Sequence, residues 1–395
     1  MRKQLTVALG LAVLATPAFA TKARLEALGE DNYGSYFLND NRNIFLNPAK
    51  INDNKDLATF EFGANSTANN GSVTGTQTDS VASPRAEGGL IKSYGNLVYG
   101  VHMGNSTPTA AITRTLGSIT NAQEVKPIDL FVGGDAGVKW GANVTYEDFT
   151  NGNVNGSLIS SHALRTRLGV VHGDLEAFVQ ASLSGNVKNR TTAKEVDGKG
   201  SYFAGVGYNL NGTKLFADWK SIKADYGVQG TTDSNFKMDE IRLGAARNDK
   251  ISDKASLITK AQLTRGIYED DSATALSSSF STIDGKITQY SLPLTAGVEY
   301  AATSWLDLRT SVSQTVWSQQ EQKPTSGTKT NRQIASTVVR AGASLKFGEL
   351  SIDGVISTSD GGASPAAGTG ADTANGKGTL RTDMLMSRVS MTYRF

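Results

Sequence analysis

The sequence predicts an all-β protein: a transmembrane antiparallel up-and-down β-barrel of about sixteen strands. From Leu57 to the end of the chain, apolar and polar residues alternate with a period of two. Short turns rich in Gly, Asn and Asp alternate with longer polar stretches, as in a series of hairpins. The final strand ends in an aromatic residue, Phe395.

The last strand illustrates the alternation. Val389, Met391 and Tyr393 fall on one face, whereas Arg388 and Arg394 fall on the other. Two inward arginines are incompatible with a dry core and are typical of a wall between lipid and water. A soluble sandwich or solenoid, the alternative fold, would bury uncharged faces. The same alternation recurs in four further segments: 138–147, 164–170, 289–300 and 339–346.

The connections between these segments predict the number of strands. Seven tight turns are expected at 94–96, 133–135, 172–174, 211–212, 248–254, 302–305 and 347–349. Eight long loops are expected at 65–84, 105–125, 148–156, 188–199, 228–235, 269–284, 319–330 and 359–377. Together they give sixteen strands, with both ends of the barrel on the short-turn side, which is periplasmic in bacterial outer-membrane barrels. Closure leaves no strand edge unpaired in lipid.

The first twenty residues are expected to be a secretory signal peptide. Arg2 and Lys3 precede a short apolar run, and Ala18-Phe19-Ala20 offers small residues for cleavage near Ala20. The run is too short to cross a bilayer as a helix. Residues 21–56 do not alternate and are expected to form a periplasmic or lumenal segment. Residues 57–395 are expected to form the barrel, and the predicted location is the outer membrane.

Composition argues against several kinds of site. A formal net charge of +2 over 395 residues offers no field for binding nucleic acid. The absence of cysteine excludes disulfides, thiol catalysis and cysteine zinc sites. His102, His162 and His172 lack the spacing of a metal site. No nucleophile elbow or phosphate loop is present, so we expect no catalytic residue, no metal and no cofactor. A barrel phospholipase or protease is the enzymatic alternative.

The charges on the inward positions predict a water-filled channel. Because a sixteen-stranded barrel leaves an aqueous lumen, we expect a porin for passive diffusion of small hydrophilic solutes and ions. Basic candidates outnumber acidic ones, which predicts a mild preference for anions, and the pair Arg165 and Arg167 on one strand is the strongest candidate. The predicted pore-lining residues are Lys139, Glu147, Arg165, Arg167, Glu176, Asp218, Lys220, Arg242, Lys260, Asp307, Arg309, Arg340, Asp353 and Arg388.

The segment before the barrel carries a resemblance. Arg24-x-x-Ala27-Leu28-Gly29, followed by Asn47-Pro48-Ala49, resembles the start of long-chain fatty-acid transporter relatives. That resemblance implies fourteen strands, a lumenal hatch and, as an alternative function, a gated transporter of hydrophobic molecules with apolar pockets and a blocked pore. By its organisation, the chain also resembles the porin-like major outer-membrane proteins of predatory delta-type bacteria. A structural or adhesive surface barrel is the third hypothesis.

The end of the chain carries another resemblance. Terminal Phe395, preceded by outward Tyr393, resembles the C-terminal signature of outer-membrane proteins. That signature implies recognition by the barrel-assembly machinery. The other expected partners are outer-membrane lipid and lipopolysaccharide, and the resemblance to porins implies a homotrimer.

Overall fold

A computed structural model describes most of the chain after the predicted signal peptide. Its described residues are 21–31, 33–63, 85–105, 127–152, 158–190, 193–228, 234–270, 285–324, 329–332, 336–359 and 386–395. The predicted signal peptide and most residues of the predicted long loops lie outside these ranges. In the described part of the chain, no helix is long and apolar enough to cross a membrane.

Three short helices precede the barrel: α1 (Lys22–Ala27), α2 (Asn43–Leu46) and a 3-10 helix (Pro48–Asp53). Thr21 caps α1, because its hydroxyl accepts a hydrogen bond from the backbone nitrogen of Arg24 at 3.3 Å. Asn47 caps the 3-10 helix in the same way, with its side-chain oxygen 3.1 Å from the backbone nitrogen of Ala49. The caps satisfy backbone donors that would otherwise be orphaned inside the barrel.

The remaining elements are strands. In chain order they are β1 (Leu57–Gly63), β2 (Arg85–Tyr94), β3 (Leu97–Met103), β4 (Ile128–Asp135), β5 (Lys139–Gly152), β6 (Leu158–His172), β7 (Leu175–Asn189), β8 (Lys194–Gly198), β9 (Ser201–Leu210), β10 (Thr213–Val228), β11 (Ser234–Lys250), β12 (Ala255–Asp270), β13 (Gly285–Ala301), β14 (Leu306–Lys323), β15 (Thr330–Arg332), β16 (Thr337–Phe347), β17 (Leu350–Ser359) and β18 (Met386–Arg394).

The strands close into one antiparallel barrel. Strand β1 pairs with both β2 and β18, so the sheet has no free edge. Strands β8 and β9 occupy one wall position, since both pair with β7 and with β10. Strands β15 and β16 likewise both pair with β14. The wall therefore has sixteen positions, which confirms the predicted fold class and strand number and differs from the fourteen that the fatty-acid transporter resemblance implies.

The seven tight turns lie where they were predicted, with small shifts. Gly133-Gly134-Asp135 belongs to β4, so the turn begins three residues later than predicted, at Ala136. The prediction of a long loop at 188–199 was wrong. There, β7 and β8 form a hairpin in which Lys188 and Glu195 make an ion pair at 2.5 Å. The strands extend into polar sequence because backbone pairing and cross-strand ion pairs continue beyond the apolar band.

The two faces of the wall differ sharply in exposure. Leu168 and Val170 point outward and are exposed, whereas Arg165 and Arg167 on the same strand point inward and are buried. The outer surface is thus an apolar face for lipid, and the polar side chains lie inside. Inside the barrel, buried charged side chains lie beside smaller apolar clusters. What buries its inward charges is the segment that precedes β1.

Candidate functional site

Residues 21–56, called here the lumenal segment, lie inside the barrel. Helix α1 packs against β14, β16, β17 and β18, and the 3-10 helix packs against β3, β4, β5 and β6. These two sets of strands occupy different arcs of the wall. The segment therefore crosses the lumen and contacts the wall on both sides.

A chain of buried hydrogen-bonded charges holds α1. Arg24 Nε and Nη2 each donate to a different oxygen of Glu299, both at 2.9 Å. Arg309 donates from Nε to Glu299 at 2.7 Å and from Nη1 to Asp353 at 2.6 Å. The hydroxyl of Thr21 donates to the second oxygen of Asp353 at 3.2 Å. Charge-assisted bonds of this kind are short and strong when they are desolvated. They join α1 to β13, β14 and β17.

Arg42 holds the second part of the segment to a neighbouring arc. Its Nη1 donates to Glu87 on β2 at 2.8 Å, and its Nη2 donates to Asn105 at 2.8 Å. The guanidinium also lies 4.0 Å from the centre of the Phe45 ring, within cation–π distance. Lys22 makes a further ion pair with Glu87 at 2.5 Å. Glu87 thus joins both halves of the lumenal segment to the wall.

Three inward glycines form the seat of the 3-10 helix. Gly133, Gly141 and Gly169 lie in register on β4, β5 and β6. A Cβ atom at Gly141 would lie 2.2 Å from the carbonyl oxygen of Pro48, and one at Gly169 would lie 1.9 Å from Asn47 Oδ1. At Gly141 the neighbouring atom belongs to the backbone, so a side chain there would force the segment to move. The wall offers bare backbone at this place, and the segment rests directly on it.

The middle of the segment contacts the opposite side of the wall. The hydroxyl of Tyr36 donates to Asp218 at 3.2 Å, and its ring stacks on Phe216 with centroids 4.7 Å apart. Asp218 also accepts a hydrogen bond from Arg242 Nε at 2.7 Å. Glu30 and Lys260 form a further ion pair between the segment and β12. The contacts of the segment therefore reach nearly all the way around the barrel.

Asp40 is a buried carboxyl within the segment. Burial raises its pKa from the usual 3.8 to about 7, and this effect outweighs the attraction of Arg24, whose Nη1 lies 3.6 Å away. One oxygen accepts a hydrogen bond from the backbone nitrogen of Arg42 at 2.8 Å. The other oxygen has no hydrogen-bond partner among the described residues. The segment therefore contains a group that titrates near neutral pH.

A cavity lies between the lumenal segment and strands β6 to β12. The empty space there, including the open solvent at its mouth, is about 770 Å³. The apolar part of its lining is Tyr36, Phe45, Leu46, Phe203 and Phe216. The charged part is Glu30, Asp31, Arg167, Asp218, Lys220, Arg242 and Lys260. We call this the lumenal cavity.

An apolar cluster lies nearer the loop end of the same wall strands. Its members face inward and are buried: Val196, Ile222, Ala224, Tyr226, Phe236, Met238 and Ile287, with Tyr268 packed against them. The register of β10 to β13 places these side chains on adjacent strands. The interior therefore changes from apolar near the loop end to amphipathic at the cavity.

All fourteen predicted pore-lining residues lie on the inner face, and most are paired. Within the wall, the pairs are Arg165 with Glu147, Arg167 with Asp129, Glu176 with Lys214, Lys220 with Glu240, Arg242 with Asp218, Asp307 with Lys346 and Arg309 with Asp353. With the segment, the pairs are Lys139 with Asp53, Lys260 with Glu30 and Arg388 with Glu26. Arg340 donates to Ser313 at 3.0 Å.

The burial of these groups differs from the hydrated wall that the sequence predicts. Arg309 and Asp353 are each 3% exposed or less, because α1 covers them. Arg165 is also buried, 4.0 Å from Glu147, and only Arg167 of the predicted arginine pair lines the lumenal cavity. An open lumen at the level of the segment is therefore not confirmed, and the part of these residues in permeation stays a prediction.

Several residues of the site were missed by the reasoning from sequence. Arg24 and Arg42 lie in a segment without periodicity, so nothing marked them as partners of Glu299 and Glu87. The glycine seat carried a signal that could have been used: Gly133, Gly141 and Gly169 all occupy inward positions of the alternation. An inward glycine leaves wall backbone uncovered, and its recurrence on three adjacent strands indicates a close neighbour.

The histidines have no metal-binding arrangement in the described ranges. Within them, no group of three or more His, Cys, Asp or Glu side chains lies close enough to hold a metal ion. His102 instead packs edge-on against Phe45, with centroids 4.9 Å apart.

Comparison with solved structures finds other barrels of similar fold. A Pseudomonas aeruginosa FadL homologue matches with a TM-score of 0.44 at 14% identity, over 95% of this chain and 98% of that one. The toluene transporter TbuX of Ralstonia pickettii matches with a TM-score of 0.37 at 12% identity, over 96% and 99%. OmpT of Vibrio cholerae, expressed in the outer membrane, matches with a TM-score of 0.40 at 10% identity, over 86% and 95%.

No protein-family model matches the sequence, and no curated protein matches it significantly. At this level of similarity, the solved structures carry no argument about function. The barrel is established by its own strand pairing.

Proposed function

We propose that this chain is an outer-membrane channel whose own residues 21–56 hold it closed, and that solutes pass when this segment moves. The single observation that carries the proposal is the position of the segment across the lumen. Arg24 binds Glu299 on one arc of the wall, and Arg42 binds Glu87 on another. Lumenal charges that an open porin would leave hydrated are here buried by the segment.

The chemistry of the contacts suits a closure that can be released. The segment is joined to the wall by ion pairs and hydrogen bonds and also by buried apolar clusters, such as the one that Ile44, Phe45 and Ile51 form with wall side chains. The charged partners become hydrated once the segment moves, which offsets the loss of their protein contacts. The apolar side chains of the segment are exposed by the same movement, which favours its return to the closed position. Tight local packing at the glycine seat then defines the closed position.

The interior on the loop side of the segment supports passage of solutes with an apolar part. The buried cluster around Ile222 and Phe236 precedes a cavity lined by rings and charges. A strictly hydrophilic solute gains nothing from the apolar part of this interior, whereas a solute with an apolar part does. The gated channel is therefore favoured over the passive porin for hydrophilic solutes.

Conductance in planar bilayers tests the proposal. The full chain is expected to show rare, small openings, and the double variant Arg24→Gln, Arg42→Gln is expected to raise the open probability at least tenfold. Arg247→Gln is the matched control, because its 2.6 Å pair with Asp249 is exposed at the short-turn end of β11. Large, voltage-independent steps from the unmodified chain, unchanged in the double variant, would show an open porin instead.

A further inference from the structure

The lumenal cavity carries charges of both signs in near balance. Lys260 pairs with Glu30, and Arg242 donates from Nε to Asp218 at 2.7 Å. Lys220 lies beside Glu240, which is on the neighbouring strand β11. A ligand with a net charge would leave that charge uncompensated in a partly buried site. The balance therefore favours a ligand whose own charges cancel.

Two of the cations in the cavity keep donor capacity. Lys220 Nζ lies 3.6 Å from Glu240 Oε1, which is an ion pair but too long for a hydrogen bond. Arg242 Nη1 lies 3.9 Å from Asp31 Oδ2, again beyond hydrogen-bond distance. The side chains of Lys220 and Arg242 are only 17% and 18% exposed. Donors in such a position favour a carboxylate, which can accept from both groups.

Asp31 supplies the opposite charge at the same cavity. Its side chain is about half exposed, and its contact with Arg242 is long. The Arg242 guanidinium is held instead by Asp218 on the far side. The Asp31 carboxylate therefore retains acceptor capacity toward the cavity, where an ammonium group is its natural partner.

An aromatic surface adjoins these charges. The ring of Phe203 has Lys220 Nζ at 5.9 Å and Arg242 Cζ at 5.8 Å from its centroid. The stacked pair of Tyr36 and Phe216 lines the same cavity. A planar ring is the apolar group that such surfaces bind with geometric preference.

We infer that the lumenal cavity binds a small zwitterion with an aromatic ring, of the class of aromatic α-amino acids. The carboxylate is bound by Lys220 and Arg242, the ammonium group by Asp31, and the ring by Phe203 and its aromatic neighbours. This inference deepens the proposed function. It rests on that function in one respect, namely that the bound molecule is the solute that the channel carries.

Calorimetry on the purified full chain in detergent tests the ligand class. The probe is L-phenylalanine, and three relatives each lack one feature: 3-phenylpropanoate lacks the ammonium, phenethylamine lacks the carboxylate, and L-alanine lacks the ring. L-phenylalanine is expected to bind at least tenfold more tightly than each of them. Equal binding of 3-phenylpropanoate or of phenethylamine would overturn the zwitterion, equal binding of alanine would overturn the ring, and no binding of L-phenylalanine would overturn the site.

Two substitutions locate the site. Lys220→Met is expected to weaken L-phenylalanine at least tenfold while leaving phenethylamine unchanged, because only the first ligand has a carboxylate. Asp31→Asn is expected to weaken L-phenylalanine and leave 3-phenylpropanoate unchanged. Lys223→Met is the matched control, since Lys223 is exposed three residues along the same strand. Equal loss for Lys220→Met and Lys223→Met would overturn the assignment.

The binding and conductance measurements separate this inference from the proposed function. If L-phenylalanine binds as expected but the double variant Arg24→Gln, Arg42→Gln conducts like the unmodified chain, the binding site stands and the gated channel fails. If the double variant opens as expected but L-phenylalanine does not bind, the gated channel stands and this inference fails.

Discussion

Arg24 meets Glu299 side-on, with its Nε and Nη2 each 2.9 Å from a different carboxylate oxygen. The pair joins the first helix of the chain to a strand that lies 275 residues away in sequence. Glu299 also accepts from Arg309, so one carboxylate bridges a guanidinium of the segment and a guanidinium of the wall. Removing Arg24 leaves a buried carboxylate with one partner fewer, which is the costly way to break an ion pair.

We therefore expect Arg24→Gln to loosen the lumenal segment. Loss of one member of a buried pair costs about 3–5 kcal/mol, so amide exchange over residues 21–56 should speed up at least tenfold. Hydrogen–deuterium exchange with mass spectrometry measures this directly. The control is Arg247→Gln, which breaks an exposed pair. Unchanged exchange in Arg24→Gln would mean that the pair does not hold the segment.

Gly141→Ala is expected to displace the 3-10 helix. The new Cβ atom would lie 2.2 Å from the carbonyl oxygen of Pro48, and that backbone atom cannot turn away as a side chain can. Gly185→Ala is the matched control, because Gly185 faces the same interior and a Cβ atom there has nothing within 4 Å. Faster exchange over residues 47–53 in Gly141→Ala alone is the expected result. Equal exchange in both variants would show that the 3-10 helix does not rest on the backbone at Gly141.

Seating of the segment is expected to weaken as the pH rises from about 4 to about 7. The pKa of Asp40 is about 7 when seated and near 3.8 when hydrated, so the seated form holds the proton more tightly. Protonated Asp40 therefore stabilises the seated form, by about 4 kcal/mol at most. This stabilisation is fully present below the hydrated pKa and decreases as the pH rises toward the seated pKa. Arg24, Arg42 and Glu61 are the charged groups that face the same carboxyl.

Exchange over residues 21–56 between pH 5 and pH 8, corrected for the intrinsic rate, measures this dependence. Asp40→Asn keeps an oxygen for the backbone nitrogen of Arg42 but cannot ionise, so its corrected exchange should be flat. A parallel slope in the unmodified chain and in Asp40→Asn would assign the pH dependence to another group.

Phe395, the terminal aromatic residue, is expected to be needed for assembly of the barrel in the outer membrane and not for the stability of the folded barrel. Phe395 is half exposed and stacks beside Tyr393, and its backbone nitrogen donates to the carbonyl of Asp56 at 3.0 Å. Phe395→Ala should reduce the folded barrel in the outer membrane several-fold while leaving refolding in detergent intact. The amount of folded barrel in the membrane and the yield of refolding are both measured by the difference in gel mobility between heated and unheated samples. Phe347→Ala, an exposed aromatic at the same end, is the control, and an equal loss there would exclude a role specific to the chain end.

The wall of the barrel was predictable because its pattern repeats. A period of two places Arg165 and Arg167 on one face of the strand and Leu168 and Val170 on the other, whatever the neighbouring strands are. The turn residues mark where each strand ends. The loop boundaries were less accurate. Polar stretches such as 188–199 have no sequence signal that distinguishes a paired hairpin from an unpaired loop.

The sequence by itself determined the closed barrel, since alternation together with turn spacing leaves few other ways to satisfy the backbone. Only the tertiary structure decided what fills the barrel. Residues 21–56 have no period, and their partners, such as Glu299 for Arg24 and Gly169 for Asn47, are set by which wall strands meet the segment in three dimensions. A contact between distant residues depends on the closed geometry of all sixteen wall positions, and no local pattern encodes it.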